Sequence, residues 1–215
     1  MKITILDDYQ DVVRKLECFT LLKGFDVEVL NQSYSSLEEL VGKLQDSDAV
    51  VLIRERTTVN AQLLSRIPKL QLISQTGKIS NHLDLSECTK FGVAVAEGVG
   101  SPVAPSEFCW ALILAASRHI PAYVQNLKEG KWQSSGSLGL GRRLDGLTFG
   151  IWGYGKIGRR VAQYAKVFGM TVVVWGSESS RSQAEKDGFS AAKSKTEFFA
   201  KADILSLHLR CLLYT

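Results

Sequence analysis

Short runs of β-branched and aliphatic residues recur at regular intervals along the first part of the chain. Ile3–Leu6, Val27–Leu30, Ala49–Ile53, Leu70–Ser74 and Val93–Ala96 read as buried strands. Between them the apolar positions shift to helical spacing. Val12, Val13, Leu16 and Phe19 share one predicted helix face. Ser36-Leu37-Glu38-Glu39 has the form of a capping box, with Leu37, Leu40, Val41 and Leu44 facing inward behind it. Asn60 caps a helix carrying Leu63 and Leu64, and Pro68, which has no N–H to donate, stops it. Strands alternating with helices imply βαβ units and a parallel sheet. Residues 1–99 therefore read as one doubly wound α/β domain.

A longer helical pattern runs from about Pro105 to Lys128, with Phe108, Leu112, Ala115 and Ala116 on one stripe. Its length suits a helix connecting two domains, and Pro121 is expected to break or kink it. Gly130 to Gly141, rich in Gly and Ser, reads as loop. A second series follows, with strands at Thr148–Trp152, Thr171–Trp175 and Ile204–Leu207. Helices are predicted at Lys156–Phe168 and Arg181–Asp187, with a short one near Glu197–Lys201. Residues 100–209 thus read as a linking helix and three strands of a second α/β domain.

The turn opening the Lys156–Phe168 helix is Gly153-Tyr154-Gly155-Lys156-Ile157-Gly158. G-x-G-x-x-G is weak evidence alone, but between a strand and an amphipathic helix it marks a dinucleotide fold. Gly153 permits the tight turn, Gly155 lets a pyrophosphate approach the backbone, and Gly158 lets helix and strand pack closely. Free N–H groups and the helix dipole then face the phosphates. An acidic residue for the ribose is expected about 20 residues on. The natural position is Gly176, which has no carboxylate. Two alternatives stand: Glu178 substitutes for it, or Ser177, Ser179 and Arg181 cradle a 2′-phosphate. The cofactor reads as NAD or NADP.

Composition narrows the class. At 45% hydrophobic and 22% charged, the chain is neither collagen-like, low-complexity nor disordered. Its net charge of +4 is scattered, so no nucleic-acid partner is expected. Cys18, Cys88, Cys109 and Cys211 form no C-x-x-C pair, no metal site is expected, and free thiols fit a reducing cytoplasm. Residues Met1 to Asp8 show no leader pattern. The longest apolar stretch, Phe108 to Ala116, is about half the ~20 residues a spanning helix needs, so no membrane partner is expected.

The order of segments resembles the D-isomer-specific 2-hydroxyacid dehydrogenases, which include phosphoglycerate dehydrogenase and glyoxylate/hydroxypyruvate reductase. Ile53-Arg54-Glu55-Arg56-Thr57 resembles the I-R-x-R-T of the phosphoglycerate branch. Thr76 to Asp84 resembles the family's A-G-x-G-x-D-N-[IV]-D. Phe91-Gly92-Val93, Ser106-Glu107, Gly130-Lys131-Trp132, Asp145 to Thr148 and Ala202 to Leu209 resemble its later segments.

The resemblance implies a flavodoxin-like substrate domain plus the first half of a Rossmann NAD(P)-binding domain. It implies hydride transfer between nicotinamide and a D-2-hydroxy or 2-keto acid, and a homodimer built on the long helix. Backbone N–H groups at Lys78 and Ile79 would hold the substrate carboxylate, although Ile79 stands where the family has Gly. Lys78 would add charge, and Arg54 and Arg56 would take a second substrate anion. His208 would lie on the adenine side of the cofactor, His82 replaces an Asn in a structural role, and His119 would be a surface or interface residue. The family's catalytic Arg, Glu and His come later than His208, so no catalytic residue is expected here. The chain accordingly reads as an inactive N-terminal fragment without the first domain's returning segment, and residues 210–215 as a non-native tail. The competing reading is a non-catalytic dinucleotide sensor of the corepressor kind.

Overall fold

The computed structural model of the chain describes residues 1–34, 36–132 and 136–209. Its elements fall into two units, one of Met1–Gly100 and one beginning at Ser101.

In the first unit, β1 (Lys2–Ile5), β2 (Asp26–Val29), β3 (Ala49–Leu52), β4 (Leu72–Gln75) and β5 (Ala94–Glu97) form a parallel sheet. Its strand order, β2-β1-β3-β4-β5, is the flavodoxin-like one, which gathers ligands at the carboxyl ends of the strands beside the β1/β3 switch point. One face is covered by α1 (Leu37–Leu44), α2 (Ala61–Leu64) and α3 (Leu85–Lys90), around a core that includes Leu6, Leu44, Leu52, Leu63 and Ile73. The predicted caps form: Ser36 Oγ accepts from Glu39 N–H at 3.2 Å, and Asn60 Oδ1 from Leu63 N–H at 3.1 Å. The short α3 lies where the sequence reading has no helix. It is started by the Asp84 carboxylate, which accepts from the N–H groups of Ser86 and Glu87.

The other face corrects the first predicted helix. Val13–Lys15 and Glu17–Leu22 are two 3-10 turns, separated by Leu16 in an extended conformation with ψ 138°. The Asp8 carboxylate takes the N–H groups of both Val12 and Val13. Val13, Phe19 and Leu22 still pack on Ile3, Ile5 and Ala49, but Val12 and Leu16 are exposed.

The second unit contains α4 (Val103–Ser117), α5 (Ile120–Lys128), β6 (Thr148–Trp152), α6 (Lys156–Val167), β7 (Thr171–Trp175), α7 (Glu178–Lys186), β8 (Ser190–Ala191), α8 (Lys195–Lys201) and β9 (Ile204–Leu207). Its sheet is parallel in the order β8-β7-β6-β9, so it has four strands where three were expected. The extra strand, β8, is only two residues long and too short to show a pattern. α7 starts at Glu178 rather than Arg181, because Ser177 Oγ accepts from Ser180 N–H at 3.2 Å and caps it. The long predicted helix is two helices. The break falls at His119, which is left-handed with φ 52°, and Pro121 sits in the first turn of α5, where its missing N–H leaves nothing unpaired. His119 therefore caps α5 and is not helical. Phe149, Ile151, Val161, Ala165, Val174 and Trp110 form the core, with Trp110 edge-on to Phe149 at 6.0 Å. No helix among the described residues is long and apolar enough to cross a membrane.

Candidate functional site

The glycine-rich turn lies at the carboxyl end of β6, between its neighbours β7 and β9. Gly153 has φ +99°, a conformation open to glycine, and its N–H donates to Trp175 O at 2.9 Å. A Cβ on Gly153 would stand 2.7 Å from the His208 carbonyl oxygen, and one on Gly158 would stand 2.3 Å from the Gly153 carbonyl oxygen. Neither contact can be relieved by turning a side chain. At Gly155, which caps α6, a Cβ would meet nothing within 4 Å. The protein thus leaves open the one glycine position that a pyrophosphate has to approach, and fills the space at the other two. That arrangement fits a dinucleotide phosphate over the N-terminus of α6.

The turn's side chains divide. Tyr154 is buried, edge-on to Phe189, and its phenol donates to Asp187 Oδ2 at 3.0 Å. Burial, helped by Asp187, pushes the phenol well above its ordinary range, and with its side chain buried Tyr154 presents a ligand with its backbone. Ile157 packs against the core, and Lys156 is exposed at the first position of α6. His208 follows β9; its N–H donates to Trp152 O at 2.8 Å and its Nε2 lies 3.0 Å from Ser206 Oγ. Burial holds its imidazole below the ordinary histidine range.

At the end of β7 the Ser177 hydroxyl lies 2.9 Å from that of Ser179 and 3.1 Å from that of Ser180. Arg181 stacks its guanidinium 5.0 Å from the Trp175 ring centroid, and its buried Nε has no hydrogen-bond partner among the described residues. Glu178 is exposed at the first position of α7.

The substrate-side residues of the sequence reading all fall at carboxyl ends of strands in the first unit. Arg54, just past β3, is left-handed with φ 64°, a strained state for a side chain of this size. Its N–H donates to Thr76 Oγ1 at 3.4 Å, and its carbonyl accepts from Gln75 Nε2 at 3.0 Å. Gln75 is fully buried, with Oε1 3.0 Å from Nε2 of the buried His82. Because the Gln75 amide donates to Arg54, the His82 Nε2 must carry the proton in that bond. Gln75 is a residue the sequence reading missed; a Gln in a strand gives no pattern by which to single it out. Arg54, Arg56, Tyr9 and Glu55 line a shallow cavity of about 450 Å³. Arg56 is committed there, donating to Asp7 O at 2.6 Å and stacking 4.4 Å from the Tyr9 ring centroid. The Arg54 guanidinium has no such partner among the described residues. Lys78 and Ile79 lie in the loop after β4, where Lys78 Nζ pairs with Glu97 and the Ile79 N–H donates to Glu97 Oε2 at 3.1 Å. Glu97 is a second residue the sequence reading missed.

No group of three or more potential metal ligands occurs among the described residues. Cys18, Cys88 and Cys109 are free thiols.

The glycine turn set between parallel strands defines a dinucleotide-binding α/β protein. Residues 110–212 match the family model for the D-isomer specific 2-hydroxyacid dehydrogenase, NAD binding domain. A phosphoglycerate oxidoreductase from Vibrio cholerae has a crystal structure similar to this one, with a TM-score of 0.91 and 59% identity over 98% of this chain and 67% of that one. Glyoxylate reductase of Aeropyrum pernix is 34% identical over 197 residues, and D-3-phosphoglycerate dehydrogenase of Methanocaldococcus jannaschii is 31% identical over 211. These matches cover 88% and 97% of this chain but only 58% and 38% of the relatives' lengths. The chain belongs to the D-isomer specific 2-hydroxyacid dehydrogenase family, and its residues 110–212 match that family's NAD-binding domain.

Proposed function

We propose that this chain supplies the cofactor site and part of the substrate site of an oxidoreductase acting on the CH–OH group of a D-2-hydroxyacid. The observation that carries this reading is the turn in which Gly153 and Gly158 are closed to any side chain while Gly155 is open. When bound, the nicotinamide cofactor would accept the hydride of the hydroxyacid in its oxidised form and supply one to the keto acid in its reduced form. The backbone N–H groups from Gly155 to Gly158 hold its pyrophosphate, and Ser177, Glu178, Arg181 and His208 border its adenosine half. Residues 1–99 act as the substrate domain and 100–209 as the linking helix and part of the dinucleotide domain. Lys78 and the Ile79 N–H take the substrate carboxylate. Arg54, strained at its strand end and with its guanidinium unpaired among the described residues, takes a further anionic group, with Arg56 shaping the cavity.

The Arg, Glu and His that complete this chemistry in the family have no counterpart in the motifs found here. The 215-residue chain is therefore proposed to bind cofactor without turnover. Titration with NADH, followed by its fluorescence, is expected to saturate, and assay with D-2-hydroxyacids and NAD to show no reduction. Failure to bind NADH would overturn the cofactor site, and measurable turnover would overturn the inactivity. The free thiols support a cytoplasmic setting, and the apolar exposed faces of α4 and α5 support a homodimer.

The hydroxyl cluster at Ser177, Ser179 and Ser180 and the half-satisfied Arg181 favour a second reading at the ribose, a 2′-phosphate. On that reading Arg181→Ala weakens NADPH binding about tenfold more than NADH binding. Equal losses for the two cofactors would sink it.

A further inference from the structure

Glu97 ends β5, and the sheet register sets it beside Gln75 at the end of β4. From there its carboxylate reaches the loop that follows β4. One oxygen is taken by the Lys78 ammonium and the other by the Ile79 N–H at 3.1 Å. Those are the two donors that the proposed function assigns to the carboxylate of the substrate. A carboxylate with one oxygen on a cation and the other on a backbone amide is a charge-assisted pair, stronger than either contact between neutral groups. The neighbouring Gly98 fixes the approach: its N–H donates to Gln75 O at 2.8 Å and to Gly77 O at 3.2 Å. A Cβ at Gly98 would press on the Gln75 carbonyl oxygen at 3.3 Å, so β5 is held close against the loop. Glu97 therefore reaches the loop from a short, anchored stem, and an intramolecular group so placed competes at high effective concentration.

We propose that Glu97 is a resident carboxylate that a substrate's carboxylate must displace from Lys78 and Ile79, and that it thereby sets the affinity of this site for 2-keto monocarboxylates. The inference rests on the reading of Lys78 and Ile79 as the substrate-carboxylate site. It differs from an ordinary exposed ion pair, whose removal leaves ligand binding unchanged.

The test uses the full-length enzyme and whichever of glyoxylate, pyruvate and hydroxypyruvate it reduces fastest. Glu97→Gln keeps the shape, removes the charge and is expected to lower KM for the keto acid about tenfold, with a smaller change in kcat and none in KM for the cofactor. Glu97→Ala, which removes the group altogether, is expected to act in the same direction and guards against a misfolded amide variant. Lys78→Met is expected to raise KM. If Lys78→Met raises KM but neither Glu97 variant lowers it, the competition is overturned and the carboxylate site stands. If Lys78→Met leaves KM unchanged, the site itself is overturned and the competition with it.

Discussion

At Gly158 a Cβ would stand 2.3 Å from the Gly153 carbonyl oxygen, whereas at Gly155 it would meet no protein atom within 4 Å. Substitution should separate the two roles. Gly158→Ala forces backbone movement and is expected to cost about 1–3 kcal/mol of stability, read from chemical denaturation. Gly155→Ala should leave the denaturation midpoint in place and weaken NADH about tenfold, because the methyl group enters only the cofactor's space. Gln75 offers a third test. Gln75→Leu keeps the volume but removes the amide that accepts from the His82 Nε2–H and donates to the Arg54 carbonyl, and should cost about 1–3 kcal/mol in stability. A midpoint unchanged from wild type would show that water replaces the amide. His208 carries a pH dependence. Its pKa is lowered by burial, so the fold favours the neutral ring. That contribution is whole above the ordinary value of 6.5 and is lost as pH falls through the folded value. Melting temperature should therefore drop between about pH 7 and pH 5, and His208→Gln should flatten part of that drop.

Element by element, what could be read from the sequence followed the strength of local signals. Ser36 and Asn60 each announce a helix with one side chain, and both caps form as expected. The glycine turn is as plain, because its spacing is set by backbone geometry. The first helix misled because Val12, Val13, Leu16 and Phe19 have helical spacing, but Asp8 diverts the backbone N–H groups that would open it. Nothing at positions 12–19 carries that information. Pro121 drew attention to the break in the long helix but did not place it: the left-handed residue is His119. At the substrate side Arg54 and Lys78 could be named, but Gln75 and Glu97 could not, since their importance comes from β3, β4 and β5 lying side by side. α4 also holds a surface the pattern only half revealed. Trp110 and Ser106 are buried, while Phe108 and Leu112, on the predicted stripe, are 66% and 54% exposed. Apolar side chains that large on one helix face support the proposed association surface. If the proposed homodimer forms through α4, Phe108→Glu is expected to shift it from dimer to monomer in sedimentation velocity without lowering the melting temperature. A dimer unaffected by the charge would place the interface elsewhere.

For the molecule as a whole, the second sheet has β9 as one of its edges among the described residues, and that edge is apolar. Leu205 is 39% and Leu207 59% exposed, and the next residue but one, Leu209, is 52% exposed. An unpaired strand edge of this composition is a template for pairing with another chain. A net charge of +4 spread over 215 residues gives little repulsion to oppose that pairing. The 215-residue chain is therefore expected to self-associate progressively as its concentration rises, through contacts that do not close into a dimer. The α4 surface predicts the opposite behaviour, a single closed species, so the two sources can be told apart in one preparation. Leu205→Lys combined with Leu207→Lys puts like charges along the β9 edge, a device natural edge strands use against pairing. Light scattering across a concentration series should show the growth of large species suppressed in that variant, while Phe108→Glu leaves it in place. If Phe108→Glu abolishes the growth and the lysine pair does not, association runs through α4 alone and the β9 edge is closed to other chains.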